Sequence, residues 1–141
     1  MPPDFRVRVG VDAVEVDRLE RLMDDHPASS EEIFTARELR YCRSKRRCSE
    51  HLAARFAAKE AVLKAFGTGI SRRMRWTEVE VVNEPSGRPR VNLDGAVASF
   101  AQSHGLSSLD VSLTHTGGLA IAHAVSLWAR PGGDVDKCAS I

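Results

Sequence analysis

The segment from His51 to Phe66 constrains the possible folds more than any other part of this sequence. It consists largely of Ala, Leu, Lys, Glu and Arg, which favour helix, and Gly67 and Gly69 follow it. This pattern predicts one long helix that ends at the glycines. Large apolar side chains recur at offsets of four, seven and three residues and should form its core-facing side: Leu52, Phe56, Leu63 and Phe66.

Alternating apolar residues before and after this helix indicate β-strands. The first strand is predicted from Phe5 to Val11, with its apolar side chains on one buried face. Two hairpins are predicted after the helix, with strands over 78–82 and 88–93 and over 109–114 and 119–128. His123, within the last strand, is expected to pack inside. Shorter helices are predicted after Asp12, within 31–45 and over 95–104.

The composition is that of one ordinary globular domain. The 141 residues are 43% hydrophobic and 28% charged, with a formal net charge of +1. This balance excludes a wholly disordered chain and gives no global attraction to nucleic acid or to an anionic membrane. We predict a domain over residues 1–130 and a flexible tail over 131–141, where no periodic pattern occurs.

The sequence also favours a cytoplasmic protein. No apolar run approaches the roughly 20 residues that a bilayer span needs, so no membrane association is predicted. The first nine residues carry charges where a secretory signal would be apolar. Three cysteines at irregular spacing are expected to be reduced thiols.

Three charged residues are the first candidates for chemistry. Glu60 and Lys64 lie four residues apart on the predicted long helix and share one face, either as a surface ion pair worth about 0.3 to 0.5 kcal/mol or as part of a site. Asp12, at the predicted end of the first strand, either caps the next helix or presents a carboxylate to a ligand. If Asp12 and Glu60 meet, their oxygens could hold magnesium, with Lys64 and Arg55 as contacts for a diphosphate.

Two further residues leave alternatives open. His115 lies at the end of a predicted strand beside a tight turn and is either structural or catalytic. Lys59 falls on the apolar side of the long helix, so its ammonium group must reach solvent or find a partner.

Five stretches of the sequence carry a family pattern in order and spacing. They are GVDAVEVDR from Gly10, ARFAAKEA from Ala54, KAFGTGI from Lys64, GRP from Gly87 and VSLTHT from Val111. Together they resemble the holo-acyl-carrier-protein synthase family, small 4'-phosphopantetheinyl transferases, over most of residues 5–129. The resemblance implies an α+β fold in which an antiparallel sheet packs against one long helix and shorter helices.

The activity implied by the resemblance is transfer of the phosphopantetheine arm of coenzyme A to a serine of an acyl carrier protein. Adenosine 3',5'-bisphosphate is released, and magnesium is the expected cofactor. The family is usually homotrimeric, with active sites between subunits. Whether the acceptor serves fatty-acid or polyketide synthesis is left open by the sequence.

The resemblance also implies roles for individual residues. Asp12 and Glu60 are the expected magnesium ligands, and Glu60, Lys64 and His115 the expected catalytic residues. Glu60 is the first candidate for the base that deprotonates the serine, and His115 is its rival. Arg18 and Arg21 are expected to dock the carrier protein. Coenzyme-binding positions are Arg55, Lys64, Gly67, Arg88, Pro89, His115 and Thr116.

Alternatives from other functional classes remain at this stage. The basic residues between Arg40 and Glu50 form either a loop near the coenzyme's 3'-phosphate or, as we favour, a solvated run. A nucleic-acid-binding protein would rely on that run and would bind DNA with a steep salt dependence. A carrier-binding module without catalysis is disfavoured, because Asp12, Glu60, Lys64 and His115 are all present.

Overall fold

A three-stranded antiparallel sheet and one long helix form the centre of the computed structural model, which describes residues 4–130. The predicted tail over 131–141 lies outside the described residues. Along the chain the elements are β1 (Phe5–Glu15), α1 (Val16–Asp25), α2 (Ser29–Ile33), α3 (Ala36–Arg43), α4 (Cys48–Phe66), a 3-10 turn (Trp76–Glu78), β2 (Val79–Asn83), β3 (Pro89–Leu93), α5 (Gly95–Ser103), β4 (Leu106–Thr116) and β5 (Leu119–Ala129).

The sheet topology agrees with the predicted hairpins. The three long strands are ordered β1-β5-β4, and β2 pairs with β3 in a separate two-stranded sheet. Gly117 and Gly118, both at positive φ, form the β4–β5 turn. The predicted α+β architecture is confirmed. No helix within residues 4–130 is long and apolar enough to cross a membrane.

Helix α4 packs across one face of the large sheet through very small residues. Gly10 of β1 lies against the backbone of α4, where an added Cβ would overlap the carbonyl oxygen of Ala61 and lie 2.7 Å from the amide nitrogen of Ala65. Ala122 and Ala124 of β5 are fully buried beneath the same helix. Only glycine therefore fits at position 10 without moving the helix away from the sheet.

The core-facing side of α4 is close to the prediction. Leu52, Leu63 and Phe66 are at most 4% exposed, whereas Phe56 is only partly buried and packs edge-on against Trp76. The helix starts three residues earlier than predicted, at Cys48, and ends with Gly67 in the left-handed region at a φ of 78°.

Lys59 finds a partner inside the protein. Its fully buried ammonium group donates hydrogen bonds to Glu38 Oε1 at 2.8 Å and to the carbonyl oxygens of Trp76 and Val79. The other carboxylate oxygen of Glu38 accepts a hydrogen bond from the amide of Val81 at 2.9 Å. Burial lowers the pKa of Lys59, and the carboxylate of Glu38 opposes that shift. This network joins α3, α4 and β2.

Two predictions for β1 are wrong. The strand continues past Val11 to Glu15, so Asp12 lies within it, opposite Ala122. Asp12 does not cap α1, because the N-cap position is Glu15, whose side chain makes no capping hydrogen bond. The strand's apolar residues are also exposed rather than buried, with Val9 at 69% exposure.

The exposed residues of β1 belong to an outer face of the sheet that the single chain leaves uncovered. Val9 pairs with Val125, and Val11 pairs with His123. His123 is therefore exposed in an apolar setting, and the prediction that it packs inside is wrong for the single chain. We use "outer sheet face" for this surface, whose largest exposed apolar members are Phe5, Val7, Val9, Val11, Leu119 and Val125.

Candidate active site

Asp12 and Glu60 are brought together by the contact between β1 and α4. Asp12 points to the same side of β1 as Gly10, two residues earlier, where the strand touches the helix. On α4, Glu60 and Lys64 lie one turn apart on one face. The ammonium group of Lys64 donates to Asp12 Oδ1 at 2.8 Å and to the carbonyl oxygen of Val11 at 3.2 Å. Lys64 therefore forms its ion pair with Asp12 of β1. The alternative of a simple surface ion pair between Glu60 and Lys64 does not describe this contact.

Burial and charge disturb the protonation of Glu60. The pKa of Glu60 is raised to about 7, first by partial burial and then by the neighbouring Asp12 carboxyl group, while Lys64 opposes the shift. Hydrogen bonding to Asp12 raises the pKa of Lys64, so that side chain stays cationic. Two carboxyl groups and one ammonium group therefore share a small volume.

The donor set fits a hard cation such as magnesium. The side chain of Asp12 is only 11% exposed, and its Oδ2 atom is buried without a hydrogen-bond partner among residues 4–130. A buried carboxylate oxygen is costly to leave unsatisfied. Magnesium commonly takes one or two protein carboxylates and completes its shell with water and phosphate oxygens. In the described part of the chain, no three His, Cys, Asp or Glu side chains are placed so that they could hold a metal ion together.

Glu60 opens into a cleft of about 460 Å³ between α1 and α4, which we call the Glu60 cleft. Arg18, Leu19 and Leu22 of α1 form one wall, and Phe56 forms part of the other. Its lining therefore combines apolar side chains with the carboxylates of Glu15 and Glu60 and the guanidinium group of Arg18.

Arg55 lies in a second cleft of about 430 Å³, which we call the Arg55 cleft. The residue is only 2% exposed, and its guanidinium carbon lies 4.3 Å from the centre of the Tyr41 ring. One guanidinium nitrogen donates to Asn83 Oδ1, while Nε is buried without a partner in residues 4–130. The remaining polar lining includes His51, Arg88, Ser112 and His115.

The two clefts lie on different sides of α4. Glu60 and Arg55 are five residues apart, which places them about 140° from each other around a helix. Neither Glu60 nor Asp12 lines the Arg55 cleft, and neither Arg55 nor His115 lines the Glu60 cleft. One chain thus presents the carboxylates and the basic cleft on separate surfaces.

Comparison with known proteins identifies the family. The model of the 4'-phosphopantetheinyl transferase superfamily matches residues 8–124. The chain belongs to this superfamily. A holo-[acyl-carrier-protein] synthase of Geobacter sulfurreducens is 44% identical over 117 residues, covering 82% of this chain and 93% of that protein.

Solved structures of the superfamily share the fold. An ACPS-CoA complex of Chronobacterium ammoniagenes matches with a TM-score of 0.79 at 30% identity, over 89% of this chain and 99% of that chain. The acyl carrier protein synthase of Mycobacterium tuberculosis matches with a TM-score of 0.65 at 38% identity, over 87% and 97% of the two chains. The predicted family and fold are both confirmed.

In this member of the superfamily, the predicted site residues fall into three groups. Asp12, Glu60 and Lys64 form the carboxylate cluster, with Arg18 on the wall of the Glu60 cleft and Arg21 exposed on the same helix. The Arg55 cleft is lined by Arg55, Arg88, Pro89 and His115. Gly67, which terminates α4, and the exposed Thr116, which terminates β4, line neither cleft.

Several residues at the Arg55 cleft were not predicted from the sequence. Tyr41 stacks on Arg55, and Lys45, an exposed residue of the basic run, has its ammonium nitrogen 4.7 Å from the centre of the same ring. Asn83 holds the guanidinium group. Of these unpredicted residues, only His51 could have been found from the sequence, because it lies four residues before Arg55 on the same face of the predicted helix.

The influence of Asp12 on Glu60 can be tested without metal. Asp12→Asn is expected to lower the pKa of Glu60 from about 7 part of the way toward 4.5, because burial still raises it. Because the pKa of Glu60 is higher in the folded than in the unfolded chain, its contribution to the free energy of unfolding is full below the unfolded pKa and is lost as the pH rises toward 7. Asp12→Asn should therefore make the free energy of unfolding depend less steeply on pH in this range. Carbon-13 NMR titration of Glu60 measures the pKa, with exposed Asp17→Asn as the control. An unchanged pKa in Asp12→Asn would contradict the assignment.

Proposed function

We propose that this chain transfers the 4'-phosphopantetheine arm of coenzyme A to a serine of an apo acyl carrier protein, in a magnesium-dependent reaction. Family membership supports the reaction class, since relatives at 40–44% identity are holo-[acyl-carrier-protein] synthases. The observation that carries the proposal is the Asp12, Glu60 and Lys64 cluster beside an apolar cleft. A cytoplasmic location belongs to the same proposal.

The residues of the cluster suit phosphoryl transfer. Asp12 and Glu60 would hold the magnesium ion, which when bound neutralises charge on phosphoryl oxygens. Lys64, already directed at Asp12, would place a positive charge beside the bisphosphate leaving group. The serine hydroxyl must lose a proton, and Glu60 is our first candidate to accept it, with His115 as the alternative.

The Arg55 cleft would hold the nucleotide part of the coenzyme. Four of its lining side chains are cationic or can become so: His51, Arg55, Arg88 and His115. Tyr41 offers an aromatic wall, and Pro89 lies beside Arg88. Gly67 and Thr116 stay proposed as coenzyme contacts, and in a single chain they lie outside this cleft. An anionic nucleotide matches a cleft with this charge.

The transfer reaction is tested by intact mass spectrometry of an apo acyl carrier protein after incubation with the chain, coenzyme A and magnesium. We expect a mass gain of one phosphopantetheine, which Glu60→Ala or omission of magnesium abolishes. If Glu60 is the base, Glu60→Gln should lose at least about 100-fold in kcat, because general-base catalysis contributes on this scale. His115→Ala should then retain more activity than Glu60→Gln.

Opposite results would remove parts of the proposal. Near-normal kcat in Glu60→Gln would exclude Glu60 as the base, and near-normal kcat in His115→Ala would exclude its rival. No mass gain with several carrier proteins would contradict the transfer reaction. Steeply salt-dependent DNA binding in place of coenzyme binding would favour the nucleic-acid alternative.

The docking surface for the carrier protein is proposed along α1. Arg18 lines the Glu60 cleft and Arg21 is exposed one turn further on. Leu22 adds an apolar contact at the same cleft. A carrier protein with an acidic helix would bring opposite charge to this surface and place its serine near Glu60.

Charge reversal tests this surface. Arg18→Glu and Arg21→Glu are each expected to raise KM for the carrier protein about 10-fold at low salt, while KM for coenzyme A stays within twofold, because rim charges steer association. Exposed Arg90→Glu, on the other sheet, is the matched control. Equal KM values for the carrier protein in all three variants would argue against α1 as the docking helix.

A homotrimer is proposed because one chain is incomplete in two respects. Its outer sheet face exposes a row of apolar residues, which in soluble proteins marks an interaction surface. Its carboxylate cluster and its Arg55 cleft lie on different sides of α4. A copy packed on the outer sheet face could bring the Arg55 cleft of one chain to the carboxylates of the next.

Light scattering after size exclusion tests the assembly. We expect the mass of three chains for the unmodified protein and a shift toward one chain for Val9→Glu, because the substitution places a charge within the apolar face. Gln102→Glu, an exposed change on α5, should keep the trimer. Circular dichroism confirms that both variants fold. A monomer that transfers phosphopantetheine at the full rate would contradict the shared site.

A further inference from the structure

His115 has a carboxylate neighbour that the transfer reaction leaves without a role. Glu50 lies in the first turn of α4, and its Oε2 atom is 3.3 Å from Nδ1 of His115. Its Oε1 atom is 3.5 Å from a guanidinium nitrogen of Arg47. The Glu50 side chain is 26% exposed and that of Arg47 is 74% exposed, so the half-buried carboxylate sits between a solvated arginine and the histidine.

The charges around His115 are otherwise positive or neutral. The His51 ring centre lies 6.3 Å from that of His115, and Arg55 and Arg88 line the same cleft. Among the described residues that line the Arg55 cleft, none is acidic. Glu50 therefore contacts His115 while standing outside the lining of the cleft.

An imidazole ring that binds a ligand through one nitrogen is held in orientation by a contact at its other nitrogen. Its two nitrogens are distinct, and a carboxylate beside one nitrogen selects which of them carries the proton and where the other points. With Nδ1 facing Glu50, Nε2 is the nitrogen left for a ligand in the cleft, and it donates a hydrogen bond to an anion when the ring carries a proton on both nitrogens. Loss of the carboxylate would free the ring to rotate, since the His115 side chain is 46% exposed.

We propose that Glu50 is a positioning residue that holds the His115 imidazole with Nδ1 against its carboxylate and Nε2 toward an anionic nucleotide in the Arg55 cleft. This inference rests on the proposed function, because the coenzyme supplies that nucleotide. Glu50 itself does not touch the ligand. It acts on coenzyme affinity through the histidine, and with Glu60 as the base it has no part in the chemical step.

The first test compares Glu50→Gln with Arg47→Gln. Glu50→Gln is expected to raise KM for coenzyme A about two- to fivefold and to leave kcat within twofold, the scale of one partly exposed charge contact. Arg47→Gln removes the other partner of Glu50 and should leave both constants unchanged. Equal effects of the two variants would overturn the proposal.

A double-mutant cycle separates positioning from helix stability. An acidic residue in a first helical turn also stabilises the helix end, so Glu50→Gln could lower the melting temperature for that reason alone. If Glu50 acts through the imidazole, Glu50→Gln adds no further rise in KM for coenzyme A once His115→Ala is present. Additive effects would overturn the proposal.

Nitrogen-15 NMR of the ligand-free protein gives a readout that does not depend on catalysis. We expect the proton of neutral His115 to reside mainly on Nδ1 and to shift toward Nε2 in Glu50→Gln. The same tautomer ratio in both proteins would overturn the positioning role. Failure of the mass-gain assay together with this NMR shift would instead reject the proposed transfer reaction and retain the Glu50–His115 coupling.

Discussion

The close approach of β1 to α4 at Gly10 is the constraint on which the rest of the structure depends. A side chain at position 10 would overlap the helix backbone, and the facing helix positions are Ala61 and Ala65. Small residues on both elements bring the backbones nearer than ordinary core side chains would permit. Because Asp12 follows Gly10 by two residues on the same side of the strand, this approach also brings its carboxylate to Glu60 and Lys64.

On the opposite side, α4 is held by a fully buried ion pair between Lys59 and Glu38. Lys59 and Glu38 are fully buried, and all three hydrogen bonds of the ammonium group are made inside the protein. A buried ion pair contributes little net stability over an apolar pair of the same size, yet breaking it by removal of one partner is costly. The pair therefore restricts which way α4 can rotate, and the adjacent Glu60 is directed away from it toward β1.

Periodicity predicted the elements because it reports which residues share a face. It correctly gave the long helix, both hairpins and most of the buried side of α4. It could not say what covers an apolar face, and so Val7, Val9 and Val11 were predicted to be core although the single chain leaves them exposed. The end of β1 was missed because Asp12 interrupts the apolar pattern while the backbone pairing continues to Glu15. Contacts such as Tyr41 with Arg55 join separate elements and have no local pattern.

One contact with another copy of the chain would account for both the exposed apolar face and the divided site. A helix with its side chains is about 10–12 Å across, so two clefts on different sides of α4 are not easily reached by one compact ligand. If the outer sheet face is covered by another copy, the burial of Val9, Val11 and Val125 would provide the apolar contribution to association. The same contact would then complete the site, because coenzyme contacts and carboxylates would come from different chains. Association and catalysis would thus both depend on the outer sheet face. The sequence pattern predicted its residues to be buried, and in one chain nothing covers them.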